Sequence, residues 1–537
     1  MKNSYVLVLL VALIATGCSK EDINNDKSGT TPDGLPTNIA NNVIYYKTSN
    51  NKALQFEKDI TFVKRADFVS NEYSETEGYG KITFSQDIDT IDNYAFSNQS
   101  DLTKIVLPQS VVSINDGAFS RCTNLESVSI PENLANIGVG AFHDCRSLVS
   151  IHLPQSLEKI CDGAFTNCMS IKSIVIPESI DSLHDYILSH CINLSSVVIE
   201  KNNVYMGDGV FYDCIDLVSI EMSNNLSHMG TGVFKDCSSL ASIKIPSNIS
   251  SISNETFKGC TSLTSINIPS NIASIGNEAF AGCTSLTSIN IPLNVTSIGN
   301  EAFAGCSQIS SVTIPLSIDS LSKGIFSSCR GLKSVEFTEN IKFVDENAFS
   351  NCNNLNSVYI SNIENWLNID FENIEANPLN NGAKLFINGE ELKEFLLPDN
   401  INNVKKYAFA GCTSISSAII PGKLKKIAQE AFSGCIRLTE LEIQDGINTI
   451  EDFAFFRCTG LTSLNLPQSL SKINDGAFNQ CTSLNTIKMH GSNPPTANVS
   501  VFSDNTYSHC LLSVPSDGLS KYETYNTWRN FQNIESY

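Results

Sequence analysis

Fifteen cysteines recur at an interval of 23 residues, at 122, 145, 168, 191, 214, 237, 260, 283, 306, 329 and 352, and again at 412, 435, 458 and 481. Thiols in such number suggest disulfide formation, metal ligation or redox sensing. If equivalent cysteines stack about 5 Å apart, distance alone permits a disulfide. Direction argues against it, because side chains in register run parallel and bonding one pair would twist it away from its equivalents. The expectation is a ladder of buried, reduced thiols packing as small hydrophobes, with Cys161 and Cys510 off the ladder. The histidines, His143, His152, His184, His190, His228, His490 and His509, make no H-E-x-x-H spacing, and no G-x-S-x-G or phosphate-binding glycine loop occurs. The chain is therefore read as a non-enzyme, with no catalytic residue, metal site or cofactor expected.

Charge narrows the partners. The formal net charge is −21, from 56 acidic against 35 basic residues, with no Lys/Arg cluster to offset it. A polyanion of this kind repels phosphate backbones, so nucleic acid is excluded as a partner. Proteins, glycans or cations remain.

The elements that place the cysteines are the copies of a repeat. One copy runs from Cys260 through TSLTSINIPSNIASIGNEAFAG to Cys283. Its Leu263-x-x-Ile266-x-Ile268 alternates inside and outside as a short strand does, and Pro269 ends the ladder by removing a donor. A second extended piece follows near Ile272 to Ile275, and Gly276 turns the chain toward Phe280. A phenylalanine stands three residues before each cysteine, from Phe96 through Phe349 with Leu188 as the exception, and from Phe409 to Phe478. Phe96 implies an earlier coil with Gln99 in the cysteine slot. The 60 residues between Cys352 and Cys412 read as coils of 37 and 23, with Phe386 and Gly389 in the phenylalanine and cysteine slots. The long coil, 352–388, then carries a 14-residue insertion around Trp366.

The expected fold is a repeat solenoid: a leucine-rich repeat array of about seventeen 23-residue coils with a parallel β-sheet, capped at both ends. No coil can bury its Leu, Ile, Phe and Cys except against its neighbours. Residues 96–489 form the solenoid. Residues 41–95, with VIYY, ALQF, ITFV and KITF as short strands, form an amino-terminal β cap. Residues 490–537 form a carboxy-terminal cap, in which Cys510-LLSVP supplies a last strand. Tyr522, Tyr525, Trp528 and Phe531 recur there as an amphipathic closing helix would.

The unit T-S-L-x-S-I-x-I-P…I-G-x-x-A-F-x-G-C resembles the BspA-type leucine-rich repeat of bacterial and protist surface proteins. The ENWLNIDF…NPL…LFING insertion and the KYETYNTWRNFQNI ending match that family's style over residues 41–537. The resemblance implies adhesion to host matrix proteins or to other bacteria, with no single ligand shared across the family.

The first residues set the compartment. Lys2 and the apolar run Tyr5 to Ala15 read as a signal peptide, 1–17, too short to span a membrane. Ala15-Thr16-Gly17-Cys18 resembles the lipobox of bacterial lipoproteins, with Ala15 where Leu is usual, and implies that Cys18 is the lipid-attachment site. The alternative is an ordinary signal peptide cut near Gly17. Lys20-Glu21-Asp22 resembles the signal that sends lipoproteins of Bacteroides-type bacteria to the outer face of the outer membrane. Residues 18–40 are then a lipidated, flexible tether, and the expected location is the outer membrane, exposed on the cell surface.

Candidate binding residues come from the outward positions of the strand. Five residues after the cysteine slot stands Ser in thirteen of sixteen coils. Two residues further the row varies, and its candidate ligand-binding members are Glu221, Lys244, Asn267, Asn290, Thr313, Glu336 and Tyr359. Such a row suits a surface that meets a partner. It equally suits exposed positions that tolerate any β-compatible residue. The favoured function is binding or adhesion to a host matrix protein, another cell-surface protein or a glycan, with membrane contact only through the lipid. One rival is a glycan-capture accessory beside an outer-membrane transporter, which a pair of exposed aromatics would favour; the row offers only Tyr359. A second rival is a ligand-free spacer.

Overall fold

The computed structural model describes residues 30–31, 34–56, 66–222 and 225–537. Cys18, the signal peptide and the Lys20-Glu21-Asp22 motif lie outside them. The chain divides into two compact units, Met1–Ile266 and Asn267–Tyr537. Across the described residues it winds through about 19 turns of roughly 23 residues, as a parallel-sheet leucine-rich repeat solenoid.

In the first unit, Val43–Thr48 pairs antiparallel with Tyr79–Phe84 on one side and with Leu102–Val106, the first repeat strand, on the other. Phe68–Ser74 continues that sheet, antiparallel to Tyr79–Phe84. VIYY and KITF are thus strands, ALQF is not, and ITFV lies outside the described residues. From Leu102 the pairing is parallel at 23-residue offsets, as in Ser173–Ile176 with Ser196–Ile199 and then Ser219–Glu221. Along Ser173–Ile176 exposed and buried residues alternate, as the L-x-x-I-x-I pattern demands. A second ladder of two-residue strands begins Thr90–Ile91, Ser113–Ile114, Asn136–Ile137 and Lys159–Ile160.

The segment around each phenylalanine is as regular as either sheet. Phe119 and Phe142 donate their backbone N–H groups to the carbonyls of Ala141 and Ala164, at 2.7 and 2.8 Å. Their rings lie between those of Phe96 and Phe165, with centroids 5.2–5.5 Å apart and planes within 8°. Each coil gets round this segment on two left-handed residues, five and one before the cysteine slot, such as Tyr94 and Asn98, Gly117 and Arg121, or Gly140 and Asp144. At three of these first positions an aromatic ring lies over a glycine of the next coil. A Cβ on Gly117 would meet the Tyr94 ring at 2.4 Å, and Gly209 and Gly476 stand likewise under Tyr186 and Phe453 at 2.3 Å.

In the second unit Ser311–Thr313, Ser334–Phe337, Ser357–Ile360 and Lys384–Ile387 are parallel and in register. Lys384–Ile387 then turns back on itself, pairing antiparallel with Glu390–Glu391. A seven-stranded parallel sheet starts afresh at Glu394–Leu396 and runs to Asn533–Ser536. The insertion supplies a short helix, Ile363–Leu367, with Asn362 Oδ1 capping the Glu364 N–H at 2.7 Å. Two 3₁₀ turns follow it, Ile374–Ala376 and Pro378–Asn381.

Here the expected register fails. Phe386 is not in the buried phenylalanine slot but on a strand, opposite Tyr359, and Gly389 occupies a hairpin turn instead of a cysteine slot. At the carboxy end Leu511–Val514 is a strand, but Asn533–Ser536 lies outside it as the last one. The expected closing helix breaks in two, Leu519–Thr524 and the 3₁₀ turn Trp528–Asn530. Between them Thr527 is drawn in, its hydroxyl donating to the Ala497 carbonyl at 2.6 Å. Tyr522, Trp528 and Phe531 are buried while Tyr525 is exposed.

Candidate functional site

All fifteen ladder cysteines are free and fully buried. The geometry gives a reason beyond parallel direction: most of the thiols donate to the carbonyl of the phenylalanine one coil back. Cys122 Sγ is 2.9 Å from the Phe96 oxygen, and Cys145, Cys306, Cys329 and Cys352 make the same contact at 3.1–3.2 Å. Burial pushes the Cys122, Cys191 and Cys352 thiols from the ordinary 9.0 up to about 12. A thiol held neutral is a poor nucleophile and a poor metal ligand. Among the described residues no group of three or more His, Cys, Asp or Glu side chains is placed to hold a metal. Cys161 is half-buried and Cys510 buried, and both are free.

The outward row divides between the units. Glu221 and Lys244 are exposed in the first, Glu221 at the end of its strand opposite Val198. Asn267 and Asn290 are exposed in the second. Three of the candidates come together on one sheet: Thr313 lies opposite Glu336, and Glu336 opposite Tyr359. The Thr313 hydroxyl donates to the Glu336 carboxylate at 3.0 Å.

Sequence reasoning missed the next strand of this site. Phe386 faces Tyr359, with ring centroids 5.0 Å apart and planes 25° from parallel. Glu391 lies opposite Phe386 on the hairpin return, and its carboxylate pairs with Lys384 Nζ at 3.1 Å. The available signal was Asn388-Gly389, a two-residue hairpin dipeptide, and both residues adopt positive φ, 50° and 86°. Trp366, at the centre of the insertion, is core. It is 1% exposed, packs edge-on against Phe337, and donates its indole N–H to the Ala408 carbonyl at 2.9 Å. Beside it is a small depression lined by Glu339, Ser361 and Asn362, with the buried Thr338 hydroxyl lacking a hydrogen-bond partner.

Stacked coils with parallel strands, a uniform serine row and a varied row beside it define a leucine-rich repeat protein. The profile described as "BspA type Leucine rich repeat region (6 copies)" matches residues 37–169, 135–264, 250–376 and 381–512. The chain belongs to the BspA-type leucine-rich repeat family. Proteins of this family are commonly found at the cell surface and are typically non-enzymatic, and the family suggests a protein-interaction or adhesion-type role.

Among solved structures, a leucine-rich repeat protein from Bacteroides ovatus is 22% identical over 93% of this chain and 99% of its own, with a TM-score of 0.43. A leucine rich cell surface protein from Faecalibacterium prausnitzii is 26% identical over 53% of this chain and 86% of its own, with a TM-score of 0.40. A T. pallidum leucine-rich repeat protein is 26% identical over 41% of this chain and 82% of its own, with a TM-score of 0.27. No curated protein matches the chain. Among the described residues no helix is long and apolar enough to cross a membrane.

Proposed function

We propose that this chain is a non-enzymatic outer-membrane lipoprotein, anchored through Cys18 and facing outward, that adheres to a partner through the strand face of its coils. One observation carries the reading: on a backbone that repeats coil after coil, selectivity must reside where coils differ, and the outward row is where they do. Within that row the Thr313–Glu336–Tyr359 group is continuous across one sheet and gains Phe386 as a further outward side chain. The partner is a host matrix protein, another cell-surface protein or a glycan, and not a nucleic acid, in keeping with the charge of −21.

The glycan-capture reading gains a second outward aromatic in Phe386, although that ring is half-buried. Against it stands the mutual stacking of the two rings at 25°, since a sugar ring packs on an open aromatic face. The test is a binding screen of the full-length protein against matrix proteins and a glycan array. Binding to at least one immobilised matrix protein, at a Kd no weaker than micromolar, is expected; silence on every surface returns the spacer reading. Cell fractionation tests the anchor: Cys18→Ala should release the protein from membranes, and added protease should digest the wild type on intact cells.

A further inference from the structure

We infer that the strip Glu336–Tyr359–Phe386–Glu391 docks an extended protein segment bearing two arginines or lysines, an inference that rests on the proposed binding role of the strand face. The four residues occupy successive positions on four neighbouring strands, in the order carboxylate, ring, ring, carboxylate. Residues directly opposite each other share one face, so all four side chains stand on the same side of the sheet. The Tyr359 hydroxyphenyl is exposed and Phe386 half-buried.

The stacking of the rings selects the ligand chemistry. Each ring hides one face against the other at 5.0 Å. The outer face of Tyr359 is turned toward the strand of Glu336, whose carboxylate is steadied by the Thr313 hydroxyl at 3.0 Å. A guanidinium or ammonium settling there meets the negative face of a ring and a carboxylate together. On the other flank Glu391 is already held by Lys384 at 3.1 Å, so a second cation must compete with that lysine. The strip spans three strand intervals, about 14 Å, which an extended chain covers in about four residues. The partner's two cations are therefore four residues apart. The charge of −21 draws such a segment in and gives the encounter a salt dependence.

Fluorescence anisotropy with the full-length protein tests this. The probe is a fluorescein-labelled Gly-Ser-Arg-Gly-Ser-Gly-Arg-Ser-Gly peptide, compared with a peptide of the same composition whose arginines are adjacent. The spaced peptide is expected to bind severalfold more tightly. Tyr359→Ala should weaken binding about tenfold and Glu336→Gln about fivefold, whereas Tyr359→Phe should retain it and Lys384→Gln should tighten it. A control lacking two other strand-face carboxylates, Glu440→Gln with Glu442→Gln, should change affinity less than twofold, and thermal melts report whether each variant is folded. Equal losses in the control and in folded Tyr359→Ala would reduce the effect to diffuse charge attraction and overturn the proposal. So would dextran binding that Tyr359→Ala abolishes, or no peptide binding at millimolar concentration. Adhesion itself is judged by the matrix-protein and glycan screen, so either reading can fail alone.

Discussion

Within the second unit, the coils that carry Phe280, Phe303, Phe326 and Phe349 and the interrupted stretch from Ser361 to Lys393 are built on different terms. In the first, every group is matched by its equivalent one coil away: ring on ring at 5.5–5.7 Å, thiol on carbonyl, strand on strand. In the second, contacts to the flanking coils persist, as between Trp366 and the Ala408 carbonyl, but local ones are added. Asn362 caps a short helix, Asn377 caps a 3₁₀ turn through the Leu379 N–H at 2.9 Å, and Asn388-Gly389 closes a hairpin. The cost of the interruption falls on Cys412. No phenylalanine carbonyl stands where its thiol would look, and it contacts the Ser414 hydroxyl at 3.2 Å instead. Periodic packing makes each residue depend on its copy; leaving the period frees a side chain such as Phe386 for the surface.

The largest test of that contrast compares two phenylalanines. Phe303 is wholly buried between Phe280 and Phe326. Phe303→Ala should cost about 4 kcal/mol in a denaturant titration, as a core cavity does. Phe386→Ala should cost less than about 1 kcal/mol, because its ring stands on the outer face. Comparable losses would mean that the interrupted stretch is packed as tightly as the coils.

Next in size is the response to alkali. A buried thiol stays neutral while an unfolded one ionises from about pH 9, and Cys352 ionises only near pH 12 in the folded chain. Its stabilisation is therefore complete below pH 9 and is lost as the pH climbs toward 12, by roughly 4 kcal/mol at about 1.4 kcal/mol per pH unit. The gap in unfolding free energy between wild type and Cys352→Ala should accordingly narrow steadily from pH 8.5 to 11. A gap independent of pH would place the ionised thiol in contact with water.

A more local effect is expected at the hairpin. Asn388→Ala with Gly389→Ala should cost about 1–3 kcal/mol, because both positions need positive φ. The loss should appear as faster amide exchange confined to residues 384–391. Protection lost throughout the neighbouring coils would show that the hairpin holds the array and is not merely appended to it.

What could be read from the sequence follows the same division. The Phe and Cys markers disclosed the coils because burial in a stack permits few residue types. They misplaced Phe386 because a phenylalanine serves a core slot and an exposed row equally well, and only the Asn388-Gly389 turn distinguishes the two. The paired left-handed residues were hidden for another reason. Gly117 and Gly140 suggest the first of each pair, but Tyr94 takes the same conformation at that place, and Arg121 and Asp144 take it at the second, where inter-coil hydrogen bonds outweigh residue preference. The row Thr313, Glu336 and Tyr359 was legible because outward alternation is set by the strand alone.

The aromatic residues laid on the glycines of following coils bear on how such an array can change over generations. Unequal crossing-over adds, removes or reorders whole 23-residue segments, and most junctions it creates are neutral, since the backbone contacts are the same. A junction that places a coil like that of Tyr94, Tyr186 or Phe453 ahead of one lacking the matching glycine would force the ring off its seat. Tyr94 with Gly117, Tyr186 with Gly209, and Phe453 with Gly476 should therefore be inherited as pairs, whereas Tyr407, which precedes Glu430, is under no such constraint.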